Sequence, residues 1–318
     1  MRTIELCPWN SIGVLKILSA AERWCGGAWS VEREKGNGCR PFIHAPRVTL
    51  HFPLCTRPGI CFDRRMSKVS LTAIVRYCDR LLSTAEIQDY DRAANGLQVE
   101  NRGSVTRIAA AVDASLATVR LAAEAKADLL LVHHGLFWAP AHPWTGSRYD
   151  SMRCLLEHNL AVYSSHLPLD AHPRLGNNAL LCAALGLKKL RPFFFDHGQF
   201  IGFKANTSIS RADLVRRLHR ATGAKPRVIP AGPAMCRRIG VVSGGAGGDL
   251  QKAANEQVDT FITGEGPHWT YALAEELGLN VLYGGHYATE TFGVKALAAH
   301  LSARFKVPWT FLDHPTGL

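Results

Sequence analysis

The residues whose types and spacing could do chemistry are few. They are two adjacent imidazoles, His133-His134, two His-x-x-x-acid pairs, His166 with Asp170 and His286 with Glu290, and a carboxylate, Glu265. Imidazole nitrogen and carboxylate oxygen together suit Zn, Mn, Fe or Ni better than Ca or Mg. Adjacent side chains on an extended segment point opposite ways. His133 and His134 could therefore each serve one of two neighbouring metals if the chain bends there. On a helix starting after Gly284-Gly285, His286 and Glu290 would share a face about one turn apart. Glu290 could then bridge two divalent ions through its two oxygens. Two-metal sites, with ions ~3.5–4 Å apart, activate a water and clamp an anionic transition state. His166 and Glu265 are the candidates for orienting the ligands, or for moving protons as a general base. Each residue also has a plainer reading. A lone His at a strand end is commonly a hydrogen-bonded structural group, His-x-x-x-Glu recurs by chance, and Asp170 could cap a turn.

A duplication favours the metal reading. Residues 108–138 (IAAAVDASLATVRLAAEAKADLLLVHHGLFW) align without a gap with 239–269 (IGVVSGGAGGDLQKAANEQVDTFITGEGPHW). Ile108 meets Ile239, Asp128 meets Asp259, Gly135 meets Gly266 and Trp138 meets Trp269. Each copy reads as strand, amphipathic helix, strand, a βαβ pattern that implies parallel pairing. Ligands in such sheets gather at the carboxyl ends of strands, where one copy carries His133-His134 and the other Gly264-Glu265. A further strand repeats as LAVYSSHLPLD (160–170) and NVLYGGHYATE (280–290), so His166 meets His286 and Asp170 meets Glu290. The spacing thus predicts an α/β fold, internally duplicated, with mixed or parallel sheets.

Other features are weaker. Gly244, Gly245, Gly247 and Gly248 form a strand-to-helix turn that could cradle phosphate or simply be tight. Arg216, Arg217 and Arg220 on the amphipathic stretch 210–222 read as a solvated face. No G-x-S-x-G, zinc finger or other nucleic-acid signature occurs. Apolar residues make up 47% and charged residues 20% of the 318, a soluble, globular profile with no run of the ~18 apolar residues needed to span a membrane. The net charge of +11 is unevenly placed: residues 1–65 hold ten Lys/Arg against five Asp/Glu, the remainder 27 against 21. The core is therefore mildly basic, compatible with anionic small molecules or a phosphate backbone. Five of nine Cys fall in residues 1–65 and none forms a CxxC pair. The later ones sit in apolar stretches, as reduced cytoplasmic core Cys do. The run Ser11–Ala21 is interrupted by Lys16 and lacks a cleavage site, so it is not read as a signal peptide. Helical periodicity begins after Met66, where Leu71, Ile74, Val75, Cys78, Leu81 and Leu82 share a face. Residues 1–65 are expected to be a poorly ordered extension or an over-long start.

The blocks NGLQVE, VHHGLFW, SSHLPLDAH followed by LGNNALL, DTFITGE and GGHYATE resemble the signatures of the GTP cyclohydrolase I type 2 homologues, also described as dinuclear-metal-centre hexameric proteins. The resemblance runs over about 66–318. It implies two interleaved halves, about 66–172 plus 280–318 and about 173–279, assembled as a toroidal homohexamer, a trimer of dimers. It implies as ligands of two metal ions His133, His134, Asp170, His286 and Glu290, with His166 and Glu265 beside them. The functions this leaves open are a metal-dependent hydrolase acting on a nucleotide or other anionic small molecule, a non-catalytic regulatory or scaffold ring, and a nucleic-acid-associated ring.

Overall fold

The run Ile108–Val112 is buried residue after residue, as a parallel strand covered on both faces must be. It belongs to one of two mixed sheets in a computed structural model that describes residues 68–138 and 143–317. The expectation for residues 1–65 lies outside these residues. Along the chain the elements begin with β1 (Val69–Ser70), α1 (Leu71–Leu82), β2 (Gly96–Val99), β3 (Ser104–Val105), β4 (Ile108–Asp113), α2 (Leu116–Glu124), β5 (Leu129–His134), α3 (Ser147–Glu157), β6 (Ala161–Ser164), α4 (Leu167–Asp170) and α5 (Asn177–Ala184). There follow β7 (Arg191–Asp196), β8 (Gln199–Ser210), α6 (Arg211–Thr222), β9 (Arg227–Pro230), β10 (Met235–Val241), a 3-10 turn (Ala246–Asp249), α7 (Leu250–Asn255), β11 (Thr260–Thr263), α8 (Thr270–Leu277), β12 (Asn280–Tyr283), α9 (His286–Phe305) and β13 (Trp309–Phe311).

The helix expected after Met66 is α1. Ser70 caps it by accepting from the Ala73 amide, and Leu71, Ile74, Cys78 and Leu82 are its buried face. Five strands form one sheet in the order β13-β4-β5-β6-β2, and six form the other in the order β7-β8-β10-β11-β12-β9. The duplicated segments supply the three central parallel strands of each, β4-β5-β6 and β10-β11-β12. Ile108 lies opposite Leu129, and its repeat mate Ile239 lies opposite Thr260, the repeat mate of Leu129. The other strands of these two sheets, β13 apart, add antiparallel, and β1 pairs with β3 in a separate two-stranded ribbon. The α/β fold with parallel and antiparallel pairing is therefore present as expected.

The two sheets exchange helices. After β6 the chain crosses over, and α5 packs Leu181, Cys182 and Leu185 with Ile239, Val241, Ile262 and Leu282 of the six-stranded sheet. After β12 it crosses back, and α9 packs Val294, Leu297, Ala298 and Leu301 with Ile108, Ala110, Leu129 and Leu131 of the five-stranded sheet. Fully burying a Val or Leu side chain contributes about 1.5–3 kcal/mol, so several such residues anchor each crossing. One boundary differs from the sequence reading. Residues 280–283, expected with the first half, are β12 of the second sheet, held between β11 and β9. The change of allegiance falls at Gly284-Gly285, because Val281 and Leu282 are fully buried in that sheet while the apolar face of α9 fits the other.

Candidate metal centre

The two crossings bring the chemistry together. His133 and His134 end β5, and Glu265 follows β11. His166 precedes α4 and Asp170 ends it, while His286 opens α9 and Glu290 lies one turn further. Gly285 has φ 91°, a conformation that costs glycine little, and it turns the chain from β12 directly into α9. The rings of His133 and His134 leave opposite sides of β5 yet converge, with centroids 4.8 Å apart.

Two groups of ligand atoms share one carboxylate. In the first, His133 Nε2 lies 3.4 Å from Asp170 Oδ2 and 3.5 Å from Glu290 Oε1. In the second, His134 Nε2 lies 3.3 Å and His286 Nε2 3.2 Å from Glu290 Oε2. Each set of three has its ligand atoms within 4.8 Å of one another. Every ring is held from behind. The Nδ1 of His133 donates to the Ser165 carbonyl at 2.9 Å, that of His134 to Asp113 at 2.8 Å and that of His286 to Glu265 at 2.8 Å. Carbonyl and carboxylate oxygens only accept, so the proton of a neutral ring sits on Nδ1 and its Nε2 lone pair faces the carboxylates. That arrangement is repulsive unless a proton or a cation stands between. His133 Nε2 and Glu290 Oε2 are also buried without a hydrogen-bond partner, although they lie within ion-pair distance of the groups above. These donors fit a metal, with carboxylate-oriented imidazoles of the kind metal sites use.

The electrostatics point the same way. Burial alone would lower the pKa of His133, but Asp170 and Glu290 outweigh it and hold the ring well above the usual range. Burial would raise Glu290, but His133, His286 and His134 hold its carboxyl well below that of a free glutamate. For His286, Glu290 and Glu265 overcome burial and raise the pKa to about 9.

His166 stands beside these groups. Its Nδ1 donates to Asp89 at 2.8 Å, its ring centroid lies 4.9 Å from that of His133, and Trp138 packs edge-on against it at 4.6 Å. Burial lowers its pKa against the opposing pull of Asp89. Glu265 lies behind His286 and is half-exposed. Its contact is with Nδ1, away from the converging Nε2 atoms. His172 accepts from the amides of Arg174 and Leu175 and shapes the turn.

Several contributors were not singled out from the sequence. Asp113 lies opposite His134 in the parallel register of β4 and β5, and an acid at the end of the neighbouring strand was the available signal. Asp89 lies in a loop 77 residues from His166, with no periodic signal to mark it. Asp170 Oδ1 accepts from Asn177 at 2.8 Å and Ser243 at 3.2 Å, leaving Oδ2 for His133. The glycine turn is tight for a reason. Gly244 has φ +69°, and a Cβ there would collide with Glu290 Oε1. Its carbonyl is tied to Gly264, Glu265 and Thr263. Above the two groups opens a cleft of ≈ 740 Å³, walled in part by Tyr90, Arg92, Trp138 and His166. Among the described residues, no helix is long and apolar enough to cross a membrane.

Comparison with known proteins agrees with this fold. Residues 69–316 match the model of the Duf34/NIF3 (NGG1p interacting factor 3) family. A Deinococcus radiodurans protein named GTP cyclohydrolase 1 type 2 homolog is 44% identical over 72% of this chain and 88% of its own length. A Halobacterium salinarum protein of the same name is 43% identical over 76% of this chain and 97% of its own. The crystal structure of a Thermus thermophilus protein superposes with a TM-score of 0.73 at 43% identity, covering 79% of this chain and all of that one. The family match extends over most of the chain and spans all five candidate ligands, so this chain is a member of the Duf34/NIF3 family.

Proposed function

We propose that the protein is a dinuclear metal-dependent hydrolase acting on a nucleotide or other anionic small molecule. The observation that carries the reading is the division of Glu290: Oε1 faces His133, and Oε2 faces His134 and His286. One carboxylate that belongs to two ligand groups is the arrangement a pair of ions needs. His133, Asp170 and Glu290 would hold one ion; His134, His286 and Glu290 would hold the other. Bound divalent ions of the Zn, Mn, Fe or Ni class would supply Lewis acidity and a water acidified toward neutral pH.

The chain's own residues do the rest. Asp113 and Glu265 fix the tautomers of His134 and His286, and Asn177 with Ser243 turns one oxygen of Asp170 toward His133. His166, whose Nδ1 is held by Asp89, would accept a proton at Nε2 and return it to a leaving group. Trp138 and Tyr90 beside it narrow the cleft. The assembly that accompanies this reading is the toroidal homohexamer implied by the family resemblance. The compartment is the cytoplasm, in keeping with the free thiols of Cys78, Cys182 and Cys236 in the core.

Elemental analysis of protein purified without chelator tests the centre. About two equivalents per chain are expected in the wild type, with loss of both in Glu290→Gln, because both groups share that residue. Near-zero metal in the wild type, with no uptake of Zn, Mn, Fe or Ni, would overturn the reading. Light scattering at about six chain masses is the expected result for the assembly.

A further inference from the structure

A second cavity, of ≈ 570 Å³, is lined by Glu265, Gly285 and Tyr287, whereas His286 and Glu290 line the main cleft. Its wall carries three cations, Lys225, Arg227 and Lys295, with Tyr287 and Thr291. Its acids are Glu265, which accepts from His286, and Asp313, which accepts from Tyr287 and also acts on Lys295. Among the described residues none of the three cations has a carboxylate within ion-pair distance. Lys295 is half-buried, its ammonium lies 4.1 Å over the Phe311 ring, and burial pushes its pKa down. Asp313, the charge that opposes this shift, lies beyond ion-pair distance, so a further anion would relieve the desolvated ammonium. A small cavity of ≈ 190 Å³ lies between the two larger ones. It shares His134, His286 and Asp113 with the main cleft, and Glu265 and Tyr287 with the basic cavity.

The main cleft differs. Away from the ligand groups it carries Asp91, Asp196 and Asp249 with Arg92, and Lys252 lies within ion-pair distance of both Asp196 and Asp249. Metal ions would draw one anionic group to the centre of that cleft. We propose that the basic cavity is an anion subsite taking a phosphate-type group of the same molecule whose reacting group sits at the metal centre, with Lys225, Arg227 and Lys295 as its contacts. The link to turnover rests on the hydrolase reading; the binding of an anion does not.

Equilibrium dialysis of the full chain with labelled inorganic phosphate at low ionic strength separates the two. The proteins compared are the metal-loaded wild type, Glu290→Gln, and each of these carrying Lys225→Ala, Arg227→Ala and Lys295→Met together. Phosphate bound by Glu290→Gln, and weakened at least about tenfold by the triple change in that background, is the expected result, since charge-assisted contacts to an oxyanion are strong. Lys225→Glu alone, at an exposed position, should weaken it as well and guards against a triple variant that fails to fold. Loss of phosphate binding in Glu290→Gln itself would place the anion on the metals and overturn the subsite, as would binding unaffected by the Lys and Arg changes. If the subsite behaves as expected and no phosphorylated compound is turned over, the anion site stands and the hydrolase reading falls. If turnover is found, the triple variant should raise KM for the phosphorylated substrate about tenfold or more with its metal content retained.

Discussion

Substituting Gly244 with alanine perturbs the centre without touching a ligand. Gly244 sits at φ +69°, and an added Cβ would run into Glu290 Oε1, the oxygen that faces His133. The left-handed conformation costs an L-residue about 1–2 kcal/mol, and the collision adds to it. Melting temperature shifts by about 2–4 °C per kcal/mol in a domain of this size, so the metal-free variant should melt roughly 2–8 °C lower. Ligand distances in a metal site tolerate displacements of only about 0.2 Å. Moving Oε1 should therefore weaken the ion held with His133 and Asp170 more than the one held with His134 and His286. A loss of ~10–100-fold, or about 1.4–2.8 kcal/mol, is the scale expected. Calorimetry of the metal-free protein and isothermal titration with the metal found in the native protein read the two effects. Gly248→Ala, four residues on with nothing within 4 Å of the new Cβ, is the control and should stay within about 0.5 kcal/mol of wild type. A Gly244→Ala protein with wild-type melting and metal uptake, or a Gly248→Ala protein equally impaired, would refute the reasoning.

Asp113→Ala removes the acceptor behind His134 and nothing from the other group. It should weaken one of two metal-binding steps by about tenfold, the lower end of the usual range, because the Asp113 side chain is 34% exposed; a titration in which both steps weaken equally would contradict the division at Glu290. Asn177→Ala strips a buried amide that donates to Asp170 and accepts from the Gly293 amide, and should cost about 1–3 kcal/mol in chemical denaturation. Metal uptake should release protons, because His286 holds one up to about pH 9 and His133 is raised as well. Titrations at pH 7.5 in buffers of different ionisation enthalpy should show about two protons released per chain, with release falling above pH 9. The same raised pKa makes a stability statement. In the metal-free protein the contribution of His286 is full below the ordinary 6.5 and lost as pH rises through about 9, which melting temperatures from about pH 6 to 10 will show or deny.

Much of this architecture is legible in the sequence because parallel strands carry their signal locally. The buried runs Ile108–Val112 and Leu129–Val132 and their repeat mates read as strands, and their carboxyl ends read as the place for ligands. Helix α1 is legible through its face of Leu71, Ile74, Cys78 and Leu82, and α6 through its amphipathic stretch 210–222, which the Ser210 side chain caps in the structure. The partners behind the ligands are hidden for a physical reason. A residue that orients a ligand needs only one oxygen at one point in space, so it imposes no periodicity on its own segment. Asp89 and Asp113 reach their histidines from 77 and 21 residues away, and only the register of β4 on β5 connects Asp113 to His134.

The exchange of helices explains why the centre sits where it does. If each half kept its own helix, His166 and Asp170 would close over one sheet and His286 and Glu290 over the other, giving two incomplete sets of donors. Because α5 and α9 change sheets, the segments that follow β6 and β12 meet across the strand end that carries His133 and His134. Asn177, in the first turn of α5, bonds both Asp170 and the Gly293 amide of α9, so the two crossings are fastened to each other at the centre itself. Among the described residues, Glu290 is then the carboxylate placed to face donors from β5 and from its own helix at once. Its depressed pKa follows from that position, and so does the expectation that its loss empties both groups, whereas the loss of Asp113 weakens one.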